Sequence, residues 1–255
     1  MSWAARRRFF ILLIIGIVAA AFFVIVLIAT AYKTPSCSDG VQNQDEQGVD
    51  CGGSCSYLCT ALQEPPTVLF TQVLGNGAGR ADIVAMVRNK NASAAARNVP
   101  YRVMLYGEGH VFVKEVDGTI DLPPGATVPV FLPGVGAGKQ KVLSAFLSID
   151  APSIRWVPLP TDPRVIPTVS NITHNVDANA PRVSATLTNP SATTLSDLRV
   201  IVLVSDFRRN VIAASETIVP LVAGQGQATA VFTWNGAFSG QPASVLVIPV
   251  VPLPT

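Results

Sequence analysis

A long, uninterrupted apolar run near the N-terminus constrains this chain more than any other feature. Residues 9–31 read FFILLIIGIVAAAFFVIVLIATA, without a charged residue and with Thr30 as the one polar side chain. At about 1.5 Å of rise per residue, such a helix is roughly 34 Å long, enough to cross the hydrocarbon core of a bilayer. The run therefore predicts a transmembrane helix at residues 9–32, with the lipid bilayer as its partner.

Charges on either side of the run predict its orientation. Arg6, Arg7 and Arg8 precede it, whereas residues 36–64 contain acidic residues and no basic one. Basic flanks stay in the cytoplasm, so we expect residues 1–8 to form a cytoplasmic tail and the C-terminal bulk to be extracytoplasmic. A cleaved signal peptide is the alternative, because Ala29-Thr30-Ala31 has the spacing of a cleavage site. The apolar region of a signal peptide is typically only about 7–15 residues long, which favours a retained anchor.

The composition beyond the run is typical of β structure. The chain has 255 residues, of which 49% are hydrophobic and 13% charged, with 19 Gly and 20 Pro. Short runs of Val, Ile and Thr between Gly- and Pro-containing turns favour strands. The net charge is +2, and no basic cluster lies outside the N-terminus. We therefore expect no nucleic-acid partner.

An internal repeat with a period near 100 residues organises the exported region. Residues 83–89 (IVAMVRN) match residues 183–189 (VSATLTN), and residues 122–125 (LPPG) match residues 221–224 (LVAG). Apolar residues alternate with polar ones in each copy, which predicts strands with one buried and one solvated face. About six or seven short strands in roughly 90 residues indicate an immunoglobulin-like β-sandwich.

The predicted fold class is therefore mainly β. It comprises an N-terminal transmembrane α-helix, a small disulfide-rich segment and two tandem immunoglobulin-like β-sandwiches. The predicted boundaries are residues 33–64 for the cysteine-rich acidic segment, 65–157 for the first sandwich, 158–164 for a linker and 165–255 for the second sandwich. The linker is rich in proline and should be semi-rigid.

Both copies resemble the FxLyD-type immunoglobulin-like domains of bacterial and archaeal surface proteins. In the first copy the resemblance lies in Val87-Arg88-Asn89 and in residues 99–106, 122–125 and 128–131. The second copy departs from the pattern, with Ala223-Gly224 in place of Pro-Gly and Asp206-Phe207 at the aromatic end of the strand. Because the matching positions are structural, the resemblance implies the fold and a surface location, and no particular activity.

All four cysteines lie in one short segment, at positions Cys37, Cys51, Cys55 and Cys59. An even, clustered set in an exported chain predicts two disulfides, with the connectivity open. Residues 37–55 resemble the CxDGxxNxxExxxDCGGxC motif of secreted and surface proteins. Three residues separate Cys55 from Cys59 where two are more usual, which leaves the partner of Cys59 open.

The acidic residues between these cysteines are candidate metal ligands. Carboxylate and amide oxygens on a stiffened loop suit Ca²⁺, which takes about 6–8 oxygen ligands. The candidate ligands are Asp39, Asn43, Asp45, Glu46 and Asp50. An acidic, disulfide-stapled knot without metal is an equal alternative. Zinc on the four cysteines is disfavoured, because Cys37 and Cys51 lack paired spacing and export favours disulfides.

No residue is assigned a catalytic role. The two histidines, His110 and His174, have no nucleophile motif nearby, so we expect a non-enzymatic protein. The predicted role is structural, adhesive or protein-binding, with a protein partner that docks on the β-sandwich surfaces. The alternative is an accessory subunit of a membrane-embedded export or pilus-type complex.

Overall fold

The computed structural model describes residues 3–31, 36–43, 45–75, 80–136, 140–175 and 180–254. It confirms the predicted class, since one N-terminal helix precedes a disulfide-bonded segment and a set of sheets packed as β-sandwiches. The chain forms two compact units, residues 1–55 and 56–255. The elements are α1 (Trp3–Ala31), β1 (Thr67–Gly75), β2 (Ala81–Arg88), β3 (Ala94–Tyr106), β4 (Phe112–Leu122), β5 (Thr127–Val135), β6 (Ser144–Ile149), β7 (Val157–Pro158), β8 (Thr168–Asn175), β9 (Arg182–Thr188), β10 (Leu195–Ser205), β11 (Val211–Val222), β12 (Gln227–Thr233) and β13 (Ser244–Val250).

Helix α1 is the apolar segment predicted from the sequence, but it begins earlier. It covers 29 residues from Trp3, whereas the predicted span starts at Phe9. Ala and Arg are among the strongest helix formers, so the helix extends through the three arginines. Residues Arg6–Ala29 are long and apolar enough to cross a membrane. The predicted end of the span at Tyr32 lies outside the described residues.

The first sandwich is built from β1 to β7. One sheet has the strand order β1-β2-β5 and the other has the order β4-β3-β6, with β7 paired to the start of β3. Every pair is antiparallel. The core between the sheets holds Ile83 and Val87 of β2, Val103 and Leu105 of β3, and Trp156 beyond β6. Burial of each such side chain contributes about 1.5–3 kcal/mol, which makes this core a main source of stability.

The second sandwich repeats this plan with β8 to β13. Its sheets have the orders β12-β9-β8 and β11-β10-β13, again antiparallel. Val183 and Leu187 of β9 share a core with Val200 and Val202 of β10 and Phe232 of β12. The strands that carry the two cores therefore follow one another in the same order in both halves of the chain.

Strands β2 and β10 are buried on both faces. Their inward residues belong to the two cores, while Val84 and Met86 of β2 and Ile201 and Leu203 of β10 meet in a third apolar cluster. We call this the interface cluster, and its other buried members are Leu74, Phe131, Val211 and Ala214. It joins the outer face of sheet β1-β2-β5 to the outer face of sheet β11-β10-β13. The four sheets of residues 56–255 therefore form one stack.

The expectation that every strand has a solvated face is wrong for strands β2 and β10. Strand β2 reads ADIVAMVR, and seven of its eight residues are buried. Strand β10 contains the continuous run VIVLV, all of it buried. Uninterrupted apolar runs are typical of strands covered on both sides, and here the second cover is the neighbouring sandwich.

The two outer sheets differ in the chemistry of their free faces. On β9, Ser184, Thr186 and Thr188 alternate with the buried core residues, and the Ser184 hydroxyl lies 2.7 Å from that of Thr173 on β8. The free face of sheet β4-β3-β6 instead carries Met104 and other large side chains described below. One end of the stack is thus lined by hydroxyls and the other is partly apolar.

A fully buried asparagine closes the same corner in each sandwich. Asn89 and Asn189 are the residues that the internal repeat aligns, and both have no exposed surface. In each case Nδ2 donates to three backbone carbonyls, and Oδ1 accepts the backbone N–H two residues later at 3.0 Å. The carbonyls belong to Ala94, Leu122 and Pro123 in the first sandwich and to Thr193, Val222 and Ala223 in the second.

Residues 56–64, predicted as part of the cysteine-rich segment, pack on the first sandwich. The backbone N–H of Leu58 donates to the carbonyl of Trp156 at 2.8 Å. The hydroxyl of Thr60 donates to the carbonyl of Ile154 at 2.9 Å. Both acceptors belong to residues buried in the first core, so this stretch joins the sandwich unit.

Shortening Ile201 should destabilise the stack, because the side chain is wholly buried in the interface cluster. We expect Ile201→Ala to lower the free energy of unfolding by about 2–5 kcal/mol, measured by denaturant unfolding of the full chain in detergent. The matched control is Ile218→Ala on β11, where the side chain is exposed, with an expected change within about 0.5 kcal/mol. Equal effects of the two substitutions would contradict the buried interface.

Candidate functional sites

The three arginines that predict the orientation of the anchor lie in its first turns. Arg6, Arg7 and Arg8 are exposed on α1, and the Arg7 guanidinium stacks on the ring of Trp3 at 5.7 Å. From Phe9 onward the helix presents uncharged side chains as far as its last described side chain. The charged and apolar parts of α1 are thus sharply separated along its axis.

The cysteine segment is closed by two disulfides. Cys37 is bonded to Cys55, with their Cα atoms 5.7 Å apart. Cys51 and Cys59 are also in the disulfide form, and none of the four cysteines, all of which lie within the described residues, is free. The prediction of two disulfides is therefore confirmed, and the open question of connectivity is answered for Cys37 and Cys55.

The predicted ligands Asp39 and Asp50 form one hydrogen-bonded network. Asp50 accepts the backbone N–H of Asp39 at 2.9 Å and that of Gly40 at 3.0 and 3.2 Å. Asp39 accepts the backbone N–H of Val41 at 2.9 Å and the side-chain amide of Asn43 at 2.9 Å. These carboxylates fold the loop by accepting its own N–H groups, a use of acidic side chains that requires no ion.

Glu46 lies deeper, against the disulfide. It is buried, its Oε2 accepts the backbone N–H groups of Asn43 at 3.2 Å and Asp50 at 3.4 Å, and its Oε1 lies 3.2 Å from Sγ of Cys55. That sulfur carries no hydrogen, because it is oxidised. Glu46 therefore contacts both the Cys37–Cys55 disulfide and the backbone of the loop between these cysteines.

The structure does not gather all five predicted ligands around one point. Asp45 turns away from the network and accepts the hydroxyl of Ser54 at 2.9 Å. Within the described residues, one trio of acidic, His or Cys side chains has its ligand atoms within 4.8 Å of one another, namely Cys37, Glu46 and Cys55. Its two cysteines are already bonded to each other. One oxygen differs from the others, since Oδ1 of Asn43 is buried and accepts no hydrogen bond from any described residue.

The paired glycines of the motif have a steric reason. Gly53 has φ +58°, and a Cβ there would overlap the carbonyl of Asp45. Gly52 has φ +75° and lies against the side chain of Gln47. L-residues rarely adopt this backbone region, so the two glycines let the chain between Cys51 and Cys55 pass close to the acidic loop.

An exposed aromatic surface on the first sandwich was not predicted from the sequence. Tyr106 packs edge-to-face with Phe112 at 6.0 Å and with Phe146 at 5.8 Å. Phe112 is 54% exposed and Phe146 is 56% exposed, and Val111 and Leu143 beside them are also exposed. We call these five residues the aromatic patch. A sequence signal for it is the placement of Tyr106 at the end of β3 and of Phe112 at the start of β4.

The aromatic patch lies on the counterpart of a covered sheet. In sheet β4-β3-β6, Met104 pairs with Glu115 and Phe146. In sheet β11-β10-β13, Leu203 pairs with Ala214 and Leu246 in the same way. Leu203 and Ala214 belong to the interface cluster, and Leu246, the counterpart of Phe146, is 53% exposed beside it. The equivalent face of the first sandwich has no cover among the described residues.

Comparisons with known proteins add little to these observations. No protein-family model and no curated protein matches the chain. Among solved structures it is similar to red sea bream transglutaminase, with 14% identity and a TM-score of 0.25, over 71% of this chain and 29% of that one. It is also similar to the coconut allergen cocosin, with 11% identity and a TM-score of 0.12, over 73% and 84% of the two chains. Likenesses this weak carry no functional argument.

Replacing Asp50 should loosen the disulfide-bonded loop. In Asp50→Asn, the carboxylate that accepts the N–H groups of Asp39 and Gly40 loses its charge. Weakening these charge-assisted hydrogen bonds should lower the stability of the loop by about 1.5–3 kcal/mol. We expect dithiothreitol to reduce the Cys37–Cys55 disulfide roughly tenfold faster, measured by alkylation and mass spectrometry. In the control Asp45→Asn, which touches an exposed serine, the rate should stay within about twofold of the wild-type rate. Equal rates in the two variants would refute the role of Asp50.

Proposed function

We propose that this chain is a non-enzymatic, single-pass membrane protein that presents an extracytoplasmic β-sandwich body for structural, adhesive or protein-binding roles. The observation that carries the proposal is the 24-residue stretch Arg6–Ala29, which is exposed and has no charge after Arg8. Contact of so many large apolar side chains with water is unfavourable, and a bilayer removes it.

The cysteine chemistry supports an extracytoplasmic body. All four cysteines are oxidised, and disulfides persist in oxidising compartments while cytosolic thiols stay reduced. The arginines at the N-terminal end of α1 support the same orientation, because basic flanks remain in the cytoplasm. The two features lie on opposite sides of the apolar stretch in the sequence.

Protease treatment of intact cells tests this orientation. We expect added protease to digest the sandwich body while an N-terminal epitope tag stays protected until lysis, with both parts followed by immunoblotting. Changing Arg6, Arg7 and Arg8 to Glu should reduce the protected fraction, because the charge bias that orients the helix is removed. A body that resists protease until lysis would contradict the proposal.

A second measurement distinguishes a retained membrane anchor from a cleaved signal peptide. A retained anchor keeps the chain in the membrane fraction after carbonate extraction, and its intact mass includes residues 1–31. A cleaved chain is released into the soluble fraction and lacks that mass. Changing Ala29 and Ala31 to Leu is the matched control, since it removes the small-residue site and should leave an anchored chain unchanged.

The aromatic patch is the part of the sandwich surface that best suits a protein partner. Exposed, clustered aromatic side chains are typical of binding surfaces. The equivalent face of the second sandwich covers an apolar sheet, β1-β2-β5, within this same chain. The partner that fits the patch is therefore a protein that presents an apolar sheet face of the same kind.

Substitution of the patch should weaken capture of that partner. In the double variant Phe112→Ser and Phe146→Ser, we expect the amount of partner cross-linked to the protein in membranes to fall about tenfold or more. Aromatic side chains buried at the centre of an interface commonly contribute about 2 kcal/mol or more to the binding free energy. The control is Phe207→Ser, where the aromatic side chain is 79% exposed and outside the patch. Equal capture by both variants would contradict the patch. If capture of the partner depends on α1 and not on the aromatic patch, the result would favour a subunit of a membrane-embedded complex.

Calcium binding by the cysteine segment is a further part of the proposal. The buried Oδ1 of Asn43 has no donor among the described residues and lies beside Asp39, to which the same amide donates, so an oxygen ligand is available there. The competing state is the same loop without metal, held by its own N–H groups. In the reduction assay described above, added Ca²⁺ should slow reduction and a chelator should restore the rate. Rates that do not respond to either addition would exclude calcium.

A further inference from the structure

A cavity lies where the two sandwiches, the linker and the C-terminal residues meet. Its volume is about 330 Å³, at the lower end of the roughly 300–1,000 Å³ typical of ligand sites. Its apolar walls include Ile120, Val128 and Val250. Ionisable groups also line it, and they come from both sandwiches and from the linker. We call it the inter-sandwich cavity.

A tyrosine whose hydroxyl has no hydrogen-bond partner among the described residues lines this cavity. Tyr101 of β3 is 8% exposed and lines the cavity, and its hydroxyl makes no hydrogen bond with any described residue. The ring crosses Gly118, its partner on β4, where a Cβ would overlap the hydroxyl. Burial raises the pKa of Tyr101 above its ordinary value, against the opposing effect of the Arg199 guanidinium. The hydroxyl is therefore protonated at neutral pH and is a donor.

Two arginines supply further donors. Arg199 of β10 lines the cavity and uses Nε to bind Glu216 at 2.7 Å, while its two Nη groups donate to no described residue. The side chain of Arg164, in the linker, is 8% exposed. It binds Asp162 through Nε and Nη2 and the carbonyl of Val251 through Nη1. Arg199 is thus the freer of the two cations.

The acidic side chains of the lining limit the charge of a ligand. Asp121 accepts the backbone N–H groups of Asn98 at 2.9 Å and Leu253 at 2.8 Å, which holds the C-terminal residues against the first sandwich. Asp197 lines the cavity from the second. Together with Glu216 and Asp162, which the two arginines already bind, four carboxylates stand near two guanidinium groups, so a dianion such as phosphate meets stronger repulsion than a single carboxylate.

We propose that the inter-sandwich cavity binds a small ligand through one carboxylate, which accepts hydrogen bonds from the Tyr101 hydroxyl and the Arg199 guanidinium. Guanidinium and carboxylate match in a paired geometry, and the apolar walls take a short aliphatic body. A free carboxylic acid and the C-terminal carboxylate of a peptide present this same chemistry. The site is a further function that does not depend on the anchor, so either proposal can fail without the other.

Calorimetry on the full chain in a non-ionic detergent tests the site. The probes are N-acetyl-leucine, N-acetyl-leucinamide, the peptide Ala-Ala-Leu with a free or amidated C-terminus, and inorganic phosphate. We expect saturable binding of a free carboxylate and at least about tenfold weaker binding of its amide. Binding of N-acetyl-leucine assigns the free acid, and binding of the peptide alone assigns a chain terminus. Binding of neither carboxylate, equal binding of acid and amide, or tighter binding of phosphate would overturn the proposal.

Variants locate the binding within the cavity. Tyr101→Phe removes one hydroxyl and keeps the ring in the core, and Arg199→Gln removes the cation, so each should weaken carboxylate binding about tenfold or more. The control is Arg102→Gln, whose exposed side chain is bound to Glu115 at 2.9 Å outside the cavity, with unchanged affinity. A wild-type affinity in Tyr101→Phe would overturn the assignment even if Arg199→Gln failed to fold.

Discussion

The packing of sheet β1-β2-β5 on sheet β11-β10-β13 is the contact on which the rest of the body depends. Domains that meet through small, polar interfaces move relative to one another by default, whereas a large apolar interface fixes them. Here the meeting faces contribute Val84, Met86, Ile201 and Leu203, none of them more than slightly exposed. The two sandwiches therefore form one compact unit.

Much of this architecture follows from sequence patterns that have a direct physical cause. A run of apolar residues from Phe9 can satisfy its backbone in lipid only as a helix, and four clustered cysteines in an exported chain pair with one another. The strand positions follow from alternation. The double burial of β2 and β10 also had a signal, because VIVLV in β10 does not alternate. The alternation of apolar and polar residues identifies the side chains that face the core of each sandwich. It does not show which element packs on the outer face of β2 or β10.

The candidate sites were harder to predict, for reasons that differ from site to site. A carboxylate such as Asp50 can accept backbone N–H groups or bind an ion with the same lone pairs, and sequence does not distinguish the two. Tyr101 and Arg199 lie about one repeat apart in the chain, and only the stacking of the sheets places both beside one cavity. The aromatic patch likewise depends on the β4-β3-β6 register, which brings Tyr106 beside Phe112.

The stack also has a direction. Its central contact joins two sheets that are not counterparts of each other, so it has no two-fold symmetry, and the same contact repeated would lengthen the body along one axis. The last sandwich ends in the hydroxyl-lined face of Ser184, Thr186 and Thr188, which resembles the polar terminal units that limit the growth of repeat proteins. Among the described residues, the free β4-β3-β6 face of the first sandwich is divided between the aromatic patch and the ion pairs of Arg102 with Glu115 and Asp117, so a partner's sheet that continues the stack would pack on the apolar part of that side.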